Sequence, residues 1–67
     1  MSKRIKFTDK VDGKLSNDDI LVGCLGERVY KLTSNVNEMN DAIRWCNRHH
    51  AIGEKFDCDK YQIEIIG

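Results

Sequence analysis

ILVGCLGERVYKL, residues Ile20 to Leu32, is the stretch on which the fold turns. From its left end, Ile20-Leu21-Val22-Gly23-Cys24-Leu25 is a strongly apolar run with turn-forming residues on both sides. Gly26-Glu27 follows, and then Arg28-Val29-Tyr30-Lys31-Leu32. Two strand-like segments separated by two residues, the first a glycine, predict a tight β-hairpin, because glycine at the first central position adopts backbone angles other residues avoid. On this reading Val29 and Lys31 point to one side and Arg28, Tyr30 and Leu32 to the other, so one face is mixed. Gly23 marks a bulge or a close backbone approach.

Upstream, Arg4 to Thr8 alternates, with Ile5 and Phe7 on one side and Lys6 and Thr8 on the other, which is the period of a half-buried strand. Asp9 to Asp19 is polar and contains Asp12-Gly13, a pair suited to a hairpin turn. Ser16-Asn17-Asp18-Asp19 would make a poor partner strand, so a loop over one end of the sheet is expected there rather than a hairpin.

Downstream, Asn35 with Glu38 three residues on forms a capping-box pattern, and Ser34 is the competing cap. From Val36, apolar Met39, Ala42, Ile43 and Cys46 recur at three- and four-residue spacing and make one helical stripe. Glu38 and Asp41 come early and Arg44 and Arg48 late, as the helix dipole prefers. Gly53 is the expected stop. Glu54 to Lys60 reads as a charged connection holding Phe56 and Cys58, and Tyr61-Gln62-Ile63-Glu64-Ile65 alternates as a final strand. The expected fold is α+β: a small sheet of three to four mostly antiparallel strands, in chain order β-β-β-α-β, with one helix packed on one face. The last strand would lie parallel to the hairpin's second arm, through a right-handed crossover, if the two share a sheet.

Sixty-seven residues suffice for one domain, 1–67. With 40% hydrophobic and 33% charged residues, no run approaches the roughly 20 apolar residues of a membrane span. The basic start, Lys3-Arg4-Ile5-Lys6, leads into no apolar signal segment, so a cytoplasmic location is expected. Eleven basic and eleven acidic side chains cancel, which builds in no general attraction to nucleic acid. The charges are unevenly spread: Lys3, Arg4 and Lys6 precede Asp9, Asp12, Asp18 and Asp19. Three widely spaced cysteines, an odd number, fit reduced thiols better than a disulfide scaffold.

Chemistry concentrates in RWCNRHH, Arg44 to His50. Cys46 and His49 are three apart, and with Cys24 and Cys58 they compose a Cys3His zinc set. Cys24 lies in an apolar run, however, and no second paired motif holds the other half of the site, so neither a metal nor any other cofactor is expected. A Cys46 nucleophile with His49 or His50 as base is disfavoured because Cys46 and His50 share the apolar stripe, with His49 at its border. The chain also offers little room for a substrate pocket, so no enzymatic activity is expected.

Trp45 falls off the stripe beside Asp41, Arg44 and Arg48. A tryptophan between arginines is the composition of a protein-interface hot spot; the competing reading folds Trp45 over the helix flank against Phe56 or Ile52. The expectation is a small non-enzymatic binding protein that occupies a protein partner's surface through Arg44, Trp45 and Arg48 with Arg28, Tyr30 and Lys31. Compact inhibitors or modulators that bacteriophages direct at host enzyme complexes share this size and style, though no motif carries the comparison. Nucleic-acid binding by a basic patch, with Trp45 or Tyr30 stacking a base, is the alternative; no recognised RNA-binding motif accompanies it. The sheet face left open by the single helix, expected at Lys6, Tyr30, Leu32, Gln62 and Glu64, offers a route to a homodimer. No membrane partner is expected.

Overall fold

The computed structural model describes residues 3–11 and 16–67. Its order is β1 (Arg4–Asp9), β2 (Ser16–Leu21), a 3-10 turn (Val22–Cys24), α1 (Leu25–Thr33), α2 (Val36–Arg48), β3 (Lys55–Asp57) and β4 (Tyr61–Ile65). The strands form one sheet in the order β2-β1-β4-β3, with every neighbouring pair antiparallel. The fold is therefore α+β, with two helices inserted between β2 and β3.

Ile20 to Leu32 is the main correction. Only Ile20 and Leu21 remain in a strand; Leu25 to Thr33 is helical, so the expected hairpin does not form. Leu25, Val29 and Leu32 are also spaced four and three apart, which is a helical stripe. Leu25 and Val29 are fully buried and Leu32 packs against the same core. From the helix Arg28 reaches Asp18 of β2 and forms an ion pair with it. Gly26 serves packing, since a Cβ there would lie 3.3 Å from Ile43 Cδ1 and 3.5 Å from Met39 Cγ, so its absence lets α1 approach α2 closely.

Two further expectations change. Ser16 to Asp19 does pair with β1, from Asp9↔Ser16 to Arg4↔Leu21, which makes β1 and β2 a hairpin rather than a strand and a loop. The Asp12-Gly13 turn itself lies outside the described residues. Polar residues are tolerated in β2 because it is an edge strand whose alternate positions meet water, with Asp19 on Arg4 and Asp18 on Arg28. In the segment expected to be a charged connection, Lys55–Asp57 forms β3, paired with β4 through Phe56↔Ile63. The last strand is accordingly antiparallel to β1 and β3, and no parallel crossover occurs among the described residues.

The expected strands Arg4 to Thr8 and Tyr61 to Ile65 stand, the first extended to Asp9. Ile5↔Ile65 and Phe7↔Ile63 pair across the sheet centre, and Tyr61 stacks on Phe7 at 5.7 Å between ring centroids. These side chains face Leu25 and Val29 of α1 and Ala42 and Cys46 of α2, forming the core. The opposite face carries Lys6, Gln62 and Glu64 as expected, with Lys6 between Asp19 and Glu64 in register. Tyr30 and Leu32 are on α1 and play no part in it.

Ser34, at φ 51°, ends α1, donating its N–H to the Tyr30 carbonyl at 2.8 Å. Asn35 then caps α2: its Oδ1 accepts from Asn37 N at 2.9 Å and Glu38 N at 3.2 Å. The helix stops at Arg48, before Gly53, which occupies the following turn at φ 96°. His50 is consequently not on the helical stripe. No helix among the described residues is long and apolar enough to cross a membrane.

Candidate partner-binding cleft

The stripe that buries Ala42 and Cys46 leaves the next positions of α2 on its flank, toward β3. Trp45 projects there, half-buried, and stacks on His49 with centroids 4.7 Å apart and planes 18° from parallel. Its other ring neighbour is Phe56 of β3, at 5.5 Å. Phe56 meets Tyr61 at 6.2 Å and Tyr61 meets Phe7, so a continuous line of rings runs from the flank into the core. Trp45 thus does cover Phe56, whereas Ile52 stays 76% exposed.

Beside this aromatic wall opens a cleft of about 270 Å3 lined by Asp41, Arg44, Trp45, Arg48, His49 and Phe56. Arg44 Nη1 lies 3.6 Å from Asp41 Oδ1, one helical turn back, with both side chains about two-thirds exposed. Such a pair is worth little and is readily exchanged for another partner. Arg48 is exposed and has no ion pair among the described residues.

His49 is held from behind. Its Nδ1 is 3.3 Å from Glu54 Oε1, and Glu54 Oε2 accepts from Ala51 N at 3.3 Å. The His49 hydrogen bond keeps the Glu54 carboxyl below its ordinary range, against a smaller opposing effect of desolvation. His50 is engaged differently. Lys3 Nζ donates to the Cys46 carbonyl and, at 2.7 Å, to the His49 carbonyl, and lies 2.9 Å from His50 Nδ1. An ammonium has only donors, so His50 Nδ1 accepts, and all three Lys3 protons are used at the C-terminal end of α2. A cation there meets carbonyls that the helix cannot satisfy itself.

The expected interface residues are divided. Arg44, Trp45 and Arg48 meet in the cleft, while Arg28 lies across the sheet, paired with Asp18 and 5.6 Å from the centre of the Phe7 ring. Tyr30 and Lys31 are exposed on α1 and do not line the cleft. Asp41, His49 and Phe56 complete it. The sequence offers Phe56 only as a residue that Trp45 could cover, and its strand pairing with Ile63 is what brings it to the cleft.

The cysteines are dispersed. Cys24 is exposed, Cys46 buried and Cys58 intermediate, and among the described residues no three His, Cys, Asp or Glu side chains gather as a metal-ligand set. Cys24, Cys46, His49 and Cys58 are thus not brought together. Burial raises the Cys46 thiol pKa, with Lys3 opposing. Burial likewise raises Tyr61, aided by its hydrogen bond with Cys58.

No known protein family matches this chain, and no curated protein or solved structure shows significant similarity to it.

Proposed function

We propose that this chain is a non-enzymatic binding protein that occupies the surface of a protein partner with the α2 flank. The observation that carries this reading is the convergence of Arg44, Trp45 and Arg48 on one open cleft with Phe56 and His49. Interface hot spots are enriched in tryptophan and arginine, set in a well-packed aromatic patch with a polar rim. The aromatic wall is stacked back into the core, so Trp45 meets a partner without first losing much conformational freedom. A binding role without thiol chemistry is supported by the position of Cys46, which lies on the buried side of the helix. Binding of this kind suits an inhibitor or modulator that acts by obstruction.

Affinity capture from the natural host's lysate, followed by mass spectrometry, identifies the partner. Arg48→Glu is expected to weaken capture at least tenfold with little change in melting temperature, and Lys31→Glu on α1 to leave it unchanged. Capture indifferent to Arg48→Glu would falsify the assignment of the cleft. Trp45→Ala is a poor substitute, because Trp45 also packs on Phe56.

A further inference from the structure

Any ligand chemistry assigned to the cleft rests on the reading of the α2 flank as a docking surface. Arg44 and Arg48 stand one turn apart on α2, where side-chain origins are about 5–6 Å from each other, close enough for both guanidinium groups to reach one short segment. Guanidinium forks match carboxylate geometry, and one of these two has only a weak, exposed partner while the other has none among the described residues. The indole of Trp45 and the ring of Phe56, 5.5 Å apart, line the same cleft. The space, about 270 Å3, accommodates a side chain with its adjoining backbone rather than a folded body.

We infer that the cleft receives an acidic segment of the partner protein, with an aromatic or aliphatic side chain against Trp45 and Phe56 and an adjacent carboxylate across Arg44 and Arg48. A nucleic-acid strand fits less well. A phosphate backbone is recognised by a sustained cationic track, whereas Asp41 lines this cleft, Glu54 stands behind His49, and the chain's net charge is zero. Those carboxylates oppose a polyanion beyond the two arginine tips and leave room for one short acidic element.

Trp45 is the only tryptophan, so its emission reports occupancy of the cleft directly in the intact protein. The probes are end-capped tripeptides, Ac-Glu-Phe-Glu-amide, Ac-Gln-Phe-Gln-amide and Ac-Lys-Phe-Lys-amide, and single-stranded oligothymidylate. The acidic peptide is expected to shift the emission saturably, the glutamine peptide to bind at least tenfold more weakly, and the lysine peptide to give no saturable shift. The double variant Arg44→Gln, Arg48→Gln is expected to weaken the acidic peptide at least tenfold while keeping the circular dichroism of the parent. The inference is overturned by absence of a saturable shift up to about 1 mM acidic peptide, the weak end of measurable recognition. Equal binding of the lysine peptide overturns it as well, and so does tighter, steeply salt-dependent binding of oligothymidylate. If the acidic peptide fails while capture of the partner remains sensitive to Arg48→Glu, the cleft docks a partner of other chemistry and only this inference falls. If capture is insensitive too, the reading beneath it falls with it.

Discussion

At the scale of single residues, the crowded heptad Arg44 to His50 contains three separate jobs. Cys46 fills the core, Arg44, Trp45 and Arg48 face the cleft, and the two histidines are fixed by Glu54 and Lys3 respectively. The division follows from the helix ending at Arg48: beyond it the 3.6-residue period no longer governs direction, so His50 leaves the stripe that helical spacing assigns to it. The Glu54 contact has a pH signature. Its folded-state pKa lies below the unfolded value, so its contribution is complete above the unfolded value of about 4.3 and is lost as pH falls through the folded one. The difference in melting temperature between the parent protein and Glu54→Gln is therefore expected to narrow as pH falls below the unfolded value and through the lower folded one. A difference that stays constant over that range would show that the carboxylate charge contributes nothing.

At the scale of elements, the start of α2 is legible in the sequence because its signals are local. Asn35 and the donors it satisfies lie within three residues, and the apolar stripe needs no partner to be seen. Asn35→Ala is expected to cost about 1 kcal/mol, which lowers the melting temperature of a domain this size by about 4–8 °C. The other end of the same helix is not legible in this way. Lys3 reaches the Cys46 and His49 carbonyls across more than forty residues of chain, and a basic N-terminus carries no mark of such an errand. Lys3→Met keeps the aliphatic stem and removes the charge, and is expected to cost about 1 kcal/mol, measured by thermal or denaturant melting. α1 departs from its sequence-based expectation for a different reason. Val29-Tyr30 suits a strand and Gly26-Glu27 suits a turn, while Leu25, Val29 and Leu32 suit a helix, so both periods coexist in one stretch.

At the scale of the whole molecule, the arrangement ββααββ puts β1 between β2 and β4 and gives both helices one sheet face to cover. Ile5, Phe7, Ile63 and Ile65 need that cover, and two short helices joined by Ser34 and Asn35 supply it where periodicity alone suggests one. The remaining face is mostly polar and charge-alternated, with Arg4 on Asp19 and Lys6 between Asp19 and Glu64, and it carries the exposed Leu21 opposite Arg4. The cysteines report on this packing. Brief alkylation near neutral pH is expected to modify exposed Cys24 and spare Cys46, whose thiol is buried and held protonated by that burial. Peptide mass spectrometry reads the order, and Cys46 is expected to react only after denaturant is added. Labelling of Cys46 in step with Cys24 would place it outside the core.

By itself the sequence determined the α+β class, the strands around Ile5-Phe7 and Ile63-Ile65, the N-terminus of α2, and the presence of arginine and tryptophan side by side on its flank. Each of these follows from a periodicity or a cap confined to a few neighbouring residues. Tertiary structure decided the rest: that Leu25 to Thr33 is helical, that the acidic Ser16 to Asp19 is an edge strand, and that Phe56 closes a cleft with Trp45 while Arg28 does not. The physical reason is common to all three. A segment whose own pattern suits two conformations takes the one that buries its apolar side chains and satisfies its charges against distant elements. For α1 those elements are the Gly26 contact with α2 and the Arg28 pairing with Asp18.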